Sequence, residues 1–589
     1  MITPRAALRP VSGDSGLIDT EAVPAVEPVG GLDPRRGDSV STAEMGGWSP
    51  TAAGWIRTAL LLLVVLGGMA FRLGAVGYGT DTLSFQIDEH RNVTLPLQLS
   101  LTDWRPRHPD YNVHYDYPAL LWYLLFAFDR VAFWVAGQFH LVSGDWEQSN
   151  LFATNQIAFF LLGRTLSVAF GTATLGVCYL LGRRLFSPAH GLLAAAFLAC
   201  TFLHVRDSAL ATVDVPMTFF VGLSLLGAAN VLRQGRTQDY LLAGVAAGLA
   251  TATKYSAVLV PIALLVAHGV RTAWLGEPLR RLGTAPRLVA AVSSAALVFL
   301  AVNPYLLLDG SRAWADLQWL YYERLTVGQF ADVGPAWWYH FAVSLRYGMG
   351  VGLLALALAG ILGTIWRRDA GGLVLLSFAG CFYLVTGYFK LAFVRYMIPL
   401  LPVLCLFAAW ALLSLTERFP RPARGWIATG LGVLAVLEPV HAIGAYSGLV
   451  HHPDTRVQAY AFLRALPPGT QVAVYEPDVV WRSTIPSWRP AVYLDDPQHA
   501  SPEVFADLKR QGIGYLLVHT SALAAVSPTV PELELALRRS ATLAQAFSPY
   551  KTRATPHPVY DRVDPYYFPI GGFAGVVRPG PLVRLYRLD

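Results

Sequence analysis

The stretch Tyr117–Phe139, YPALLWYLLFAFDRVAFWVAGQF, is long and apolar enough to cross a membrane, yet it carries Asp129 and Arg130 at its middle. A crossing helix would hold both charges at the bilayer centre, at about 2.5–3.5 kcal/mol each on insertion scales unless they are paired. The neighbouring sequence decides between crossing and lying flat. Apolar runs at Trp55–Val76 and at about 157–181, 190–206, 213–232, 240–253, 256–270, 287–308, 347–365, 371–389, 394–416 and 425–446 give eleven other candidate spans. Basic residues punctuate them at Arg183–Arg184, Arg233 and Arg236, Arg271 with Arg280, Arg281 and Arg287, Arg367–Arg368, and Arg418, Arg421 and Arg424. With 117–139 in the interface, all five clusters fall on the side of the N-terminus; with it across the membrane, all five fall on the other side. Cytoplasmic loops are enriched in Lys and Arg, so the bias lays 117–139 in the interface, with the N-terminus in the cytoplasm and the C-terminus outside.

Composition agrees with this reading. Of 589 residues, 54% are hydrophobic and 14% charged, against roughly 25% charged in soluble domains. Disordered chains, basic nucleic-acid-binding proteins and ordinary soluble enzymes are excluded, and the net charge of +6 is modest for the length. Cys178, Cys200, Cys381 and Cys405 all fall in apolar runs and read as small buried hydrophobes, neither a disulfide framework nor a metal site. The expected architecture is a mainly α polytopic membrane protein. A disordered cytoplasmic tail covers 1–53, a transmembrane domain 54–446 with a long external loop at 77–156, and a small external α/β domain 447–589. The external segment 309–346 is rich in Trp and Tyr (Trp314, Trp319, Tyr321, Tyr322, Trp337, Trp338, Tyr339), a composition suited to an interfacial belt or a lipid-chain groove. In the C-terminal domain, spacing predicts helices at Arg456–Leu466, Glu503–Gln511 and Val530–Phe547. It predicts strands at Gln471–Tyr475, Gly514–His519 and Leu582–Leu588.

Few residues in such a chain can carry chemistry. Asp88 and Glu89 stand in the first external loop, within Gln86-Ile87-Asp88-Glu89-His90-Arg91. A carboxylate at the membrane surface can act as general base on a hydroxyl; it can equally be a solvated pair or a helix cap. Arg206, Asp207 and Asp214 occupy an external turn, as functional groups or as a structural ion pair. Lysine is scarce: Lys254, Lys390, Lys509 and Lys551 are the four in the chain, and the first two sit at external hairpin ends, with Arg395-Tyr396 close by. Lysine binds phosphate as a point charge and arginine as a planar fork, so Arg206, Lys254, Lys390 and Arg395 can bracket a phosphate at membrane depth; snorkelling cations are the plainer alternative. Neither a phosphate-binding Gly-x-x-x-x-Gly-Lys-Ser/Thr loop nor an Asp-x-Asp pair occurs, and His451–His452 cannot chelate zinc as an i, i+4 pair would.

These residues resemble those of the GT-C superfamily of polyprenyl-phosphate-dependent glycosyltransferases, in particular glycosyltransferase family 39, with its protein O-mannosyltransferases, and the lipid A aminoarabinose transferases. Asp88-Glu89 is similar to the family's acidic pair. Tyr117-Pro118-Ala119-Leu120-Leu121-Trp122-Tyr123 resembles its juxtamembrane Pro-Pro-Leu-Tyr-Tyr helix, with tyrosine for the first proline. Gly163-Arg164-Thr165 with Gly182-Arg183-Arg184, the turn from Arg206 to Asp214-Val215-Pro216, Thr253-Lys254-Tyr255, Arg395-Tyr396 with Pro399 and Pro402, and Pro453-Asp454-Thr455-Arg456 follow in family order.

The resemblance implies a GT-C bundle of about eleven helices with external juxtamembrane helices, in the bacterial inner membrane, that moves a monosaccharide from a polyprenyl-phosphate carrier to an acceptor hydroxyl with inversion. It implies Asp88 as general base with Glu89 in support or on the acceptor, and Arg206, Lys254, Arg395 and Lys390 on the donor phosphate. Asp214, Tyr255 and Tyr396 would orient the acceptor. It names no certain cofactor, and a divalent metal stays open because relatives differ. The implied acceptor is a protein, lipid or glycan, the sugar a hexose such as mannose or a pentose, and no nucleic acid is involved. A secondary transporter or lipid flippase is the alternative of another class, and a non-catalytic scaffold on the same fold is a third; the absence of internal repeats speaks against a transporter.

Overall fold

Asn155, Ser187 and Asp369 each open a long apolar helix in the same way, by accepting a hydrogen bond from a backbone N–H three residues on. These side chains satisfy donors that an apolar environment would leave bare. The computed structural model describes residues 52–79, 87–106, 114–141, 148–274, 285–326, 332–475, 491–494, 500–520, 530–551, 557–564 and 567–588. The expected tail to residue 51, and Arg280 and Arg281, lie outside them. The chain divides into two units, Met1–Thr58 and Ala59–Asp589. Of the first, residues 52–58 are described, as the opening turns of the helix Ala52–Leu73.

Among the described residues, nine helices are long and apolar enough to span a membrane, Leu120–Gln138 included, or eleven if each of two bent pairs counts as one span. The bent pairs are Pro188–Ala199 with Phe202–Ser208, at 64°, and Ala336–Met349 with Val351–Trp366, at 116°. The second bend turns on Gly350, whose φ of +80° few other residues adopt at low cost. Thr237–Thr253, one of the spans expected from sequence, is a helix of 17 residues and falls just short of that length.

The helix ends sort the chain's polar groups. At one end Arg233 donates to the Leu185 carbonyl, Arg271 to Leu232 at 3.2 Å and Arg287 to Gly235 at 2.8 Å. The arginines expected on one side of the membrane thus share an end of the bundle, each covering a helix C-terminal carbonyl or a turn beside it. The opposite end gathers the acidic candidates described below.

The helix Leu120–Gln138 runs across that opposite end. The backbone N–H of Ala119 donates to Asn303 Oδ1 at 2.7 Å, just beyond the helix Ala285–Val302. Further along, Phe133 stacks on Phe159, in the first turns of Gln156–Leu185, at 4.7 Å. Two contacts at the ends of different spans suit a helix lying flat. Asp129 is buried, and Arg130 lies over the Phe126 ring at 4.6 Å.

Small residues let the spans approach. Thr237–Thr253 packs on Ala285–Val302 through Gly244 and Gly248, where added Cβ atoms would come within 2.1 Å of the Ala291 carbonyl oxygen and 2.6 Å of the Ala295 carbonyl oxygen. Close backbone approach of this kind replaces the hydrophobic drive that lipid does not supply.

Beyond the bundle, β1 (Gln471–Tyr475), β2 (Ala491–Leu494), β3 (Ile513–Thr520), β4 (Ala541–Phe547) and β5 (Leu582–Leu588) form one mixed sheet, ordered β2-β1-β3-β5-β4. β1 is parallel to both neighbours, while β5 runs antiparallel to β3 and β4. Alternating residues bury both faces. Ala473, Leu516, Val518 and Tyr586 pack with Phe505, Leu508 and Leu533; Val472, Val474, Leu517 and Leu585 pack with Ala459 and Leu463. One expectation is corrected. Val530–Phe547 is helical only over Pro531–Ser540, and residues 541–547 form β4, because pairing along β5 outweighs helical propensity there. The connection from β4 to β5 does not turn back as a hairpin. Its residues Val563, Phe568 and Ile570 are buried in the core of the transmembrane bundle, with Phe568 against Tyr78 and Tyr446.

Candidate active site

Five chain breaks meet at the acidic end. They are the short helix Ile87–Thr94, the turn before Asp214, the break at Lys254, the tight turn Val394–Leu400 and the excursion between β4 and β5. Breaks in helices at membrane depth free backbone and side chains to face a cavity.

At their centre is Arg395, with a side chain 3% exposed. It donates Nη2 to Asp88 Oδ2 at 2.5 Å and Nη1 to Asp564 Oδ2, and its Nε lies 3.6 Å from Asp214 Oδ2. Lys254 Nζ reaches Asp214 Oδ1 at 2.7 Å and faces the Tyr396 ring at 4.5 Å. Arg324, from the helix Gly310–Thr326, stands against the same ring at 5.7 Å. The side chains of Asp214 and Asp564 are 1% and 0% exposed, whereas that of Asp88 is 26% exposed. The Tyr117 hydroxyl also donates to Asp88 Oδ2, at 3.3 Å. Burial first, and then the Asp88 carboxylate beside it, push the Tyr117 phenol well above its usual range against the pull of Arg395, so it stays a donor.

The acidic pair divides. Asp88 faces the cluster, while Glu89 turns into the protein and is fully buried. Glu89 takes a two-pronged contact from Arg164, at 2.7 and 2.8 Å, and a third bond from the Ala211 N–H at 3.0 Å. Arg164 also donates to the Val76 and Tyr78 carbonyls. Glu89 therefore ties the loop helix to the span Gln156–Leu185 and to the turn before Asp214.

Arg206 and Asp207, expected in a turn, lie instead in the buried helix Phe202–Ser208, where Arg206 donates Nε to Asp207 Oδ2 at 2.7 Å. Asp561 stands within its electrostatic reach, its carboxyl pushed above the usual range by burial, while Arg206, the N–H groups of Val563 and Asp564, and Arg395 pull it down. Lys390 does not join the cluster; it is exposed, and its backbone N–H donates to the Arg324 carbonyl. Tyr255 donates its hydroxyl to the Tyr115 carbonyl at 2.9 Å and lines a small cleft of about 10 Å³, room for a single water, with Tyr115, Tyr117, Tyr123, Tyr305 and Asn303. This cleft adjoins both Asp88, through Tyr117, and Lys254, through its neighbour Tyr255.

Asp564, Arg324 and the role of Tyr117 were not foreseen from sequence. Arg324 had a signal, as a cation ending an aromatic-rich external helix. Asp564 had none, since it sits in an aperiodic Pro- and Tyr-rich segment far along the chain. Among the described residues, no group of three His, Cys, Asp or Glu side chains is arranged to hold a metal ion. Asp88, Asp214 and Asp564 converge instead on a guanidinium.

Comparison with known proteins bears on this geometry. The profile of the family described as dolichyl-phosphate-mannose-protein mannosyltransferase matches residues 149–301, which include Arg206, Asp214 and Lys254. No curated protein matches the chain. Among solved structures, the Archaeoglobus fulgidus oligosaccharyltransferase AglB, in complex with an inhibitory peptide and a dolichol-phosphate, is 14% identical. The alignment covers 84% of this chain and 73% of that one, with a TM-score of 0.50. ArnT from Cupriavidus metallidurans bound to undecaprenyl phosphate is 15% identical over 84% of this chain and 97% of its own, with a TM-score of 0.47. Residues 149–301 are thus similar to that family, and the chain shares the fold of the archaeal oligosaccharyltransferase.

Proposed function

We propose that the protein transfers a monosaccharide from a polyprenyl-phosphate carrier to an acceptor hydroxyl at the external membrane face. The observation that carries this reading is Asp88, a partly exposed carboxylate beside a tyrosine-lined cleft and in contact with a buried cation that a phosphate can also use. Asp88 takes the proton of the acceptor hydroxyl as its oxygen attacks the anomeric carbon. The bond from that carbon to the phosphate oxygen breaks, its electron pair leaves on the polyprenyl phosphate, and the sugar inverts. Arg395 and Lys254 stabilise the charge growing on the phosphate, in place before the reaction begins, with Arg206 and Arg324 adding to the local potential. Asp214 holds Lys254 and Arg395 together, Tyr396 supports Lys254, and Tyr255, next to Lys254 in the chain, orients the acceptor. Exposed aromatics on the helix that bears Arg324, among them Trp314, Trp319, Tyr321 and Tyr322, suit the isoprenoid chain. The cytoplasmic N-terminus and the bacterial inner membrane belong to the same proposal, as do a protein, lipid or glycan acceptor and a hexose or pentose donor.

Purified protein in lipid nanodiscs, given polyprenyl-phosphate sugars and membrane extract, is expected to release polyprenyl phosphate and to add a sugar-sized mass to an acceptor. Asp88→Asn is expected to keep the fold and lower the rate by about 10²–10⁴-fold, the usual worth of a general base. Unchanged transfer by folded Asp88→Asn protein would remove Asp88 from that role.

A further inference from the structure

The base and the donor compete for one cation. In the described cluster neither cation is idle: Lys254 is held by Asp214, and Arg395 by Asp88, Asp214 and Asp564. Those three carboxylates outnumber the two cations they touch. An anionic phosphate that reaches Arg395 meets three carboxylates already gathered there, and like-charge repulsion favours releasing one of them. Asp214 and Asp564 are nearly fully buried, so water cannot solvate either once Arg395 is lost, a costly outcome. Asp88 differs on two counts. Its side chain is 26% exposed, and it already accepts from the Tyr117 hydroxyl. Water and Tyr117 can solvate it once Arg395 lets go.

We propose that donor binding unmasks the base: the phosphate of the lipid-linked sugar replaces Asp88 on Arg395, and Asp88 swings onto Tyr117 at the mouth of the tyrosine cleft. This rests on the transferase reading and deepens it. Without donor, Arg395 and Tyr117 both bond Oδ2, and the ion pair holds the carboxylate at the cation. With donor bound, the same exchange seats the phosphate and frees the carboxylate, so the base is available only when there is a sugar to transfer.

The exchange makes an unusual statement about affinity. If Asp88 competes with phosphate, neutralising it strengthens phosphate binding even as it destroys catalysis. With undecaprenyl phosphate as the probe, in nanodiscs, Asp88→Asn is expected to bind about tenfold more tightly than wild type, the scale of one charge-assisted hydrogen bond to a partly exposed group. Equal or weaker binding by Asp88→Asn overturns the exchange. Tyr117→Phe provides a second arm should Asp88→Asn fail to fold. In the donor-free state the hydroxyl shares Oδ2 with Arg395 at 3.3 Å and bonds it fully only once Arg395 lets go, so its removal is expected to weaken binding several-fold, and unchanged affinity there overturns the exchange as well. Wild-type transfer is measured alongside. Transfer without the affinity changes sinks the exchange alone, whereas wild type that neither binds the probe nor transfers sugar sinks the transferase reading with it.

Discussion

Arg395 is surrounded by carboxylates, and each does a different job. Asp214 couples it to Lys254, Asp564 anchors it from the C-terminal segment, and Asp88 is the one near solvent. A second arginine, Arg164, does for Glu89 what Arg395 does for Asp88, but fully out of water and with every Glu89 oxygen occupied. Breaking a buried pair of this kind leaves an uncompensated charge and costs about 3–5 kcal/mol. Glu89→Gln is accordingly expected to lower stability by that order, read by thermal unfolding in detergent, while whatever protein folds retains transfer. A Glu89→Gln protein of normal stability that transfers nothing would make Glu89 a chemical participant. At this scale much was legible from sequence. Asp88, Asp214, Lys254 and Arg395 stood out because ionisable groups are rare at membrane depth. Glu89 could not be separated from Asp88, since adjacent residues on a short helix share every sequence feature except the direction they face. Asp564 could not be found at all: its role depends on a contact with a residue more than a hundred positions earlier.

Between residues and whole protein, the elements set the spacing of the site. Lys254 ends the helix Thr237–Thr253, and that helix is held to Ala285–Val302 by backbone contact at Gly244 and Gly248. Any larger side chain at Gly244 would have to push the two helices apart, since its Cβ would meet a carbonyl oxygen and no flexible side chain could yield. Gly244→Leu is expected to cost about 1–3 kcal/mol or more, in line with overpacking elsewhere, and to lower transfer by shifting Lys254 relative to Asp214. Thermal unfolding and turnover measured on the same preparation test it; a stable, fully active Gly244→Leu protein would mean that the helices do not need this approach. The sequence placed these helices to within a few residues because apolar runs bounded by arginines are unambiguous. It misread 541–547 because a short Ala- and Leu-containing segment suits either helix or strand, and only the presence of β5 decides.

At the scale of the molecule, charge is segregated. Arg233, Arg271 and Arg287 mark one end of the bundle, and the acidic cluster, the flat helix Leu120–Gln138 and the segment before β5 mark the other. The proposed orientation makes this testable in cells. In a background with the four native cysteines replaced, Lys509→Cys is expected to react with a membrane-impermeant maleimide added outside, and Arg236→Cys only after permeabilisation. Both positions are exposed in the fold, so labelling reports the side of the membrane. The reverse pattern would invert the topology and put the site in the cytoplasm.

The excursion between β4 and β5 has a consequence in time. Protein synthesis is vectorial, so Asp88, Asp214, Lys254 and Arg395 enter the membrane well before Asp564 exists. During that interval Arg395 lacks one of its anchors, and Phe568 and Ile570 have not yet filled their places beside Tyr78 and Tyr446. The cluster matures only when β5 joins the sheet and closes the excursion behind it, much as a drawstring is tied last. A ribosome stalled before that point leaves a nascent chain with its reactive groups present and its geometry unfinished.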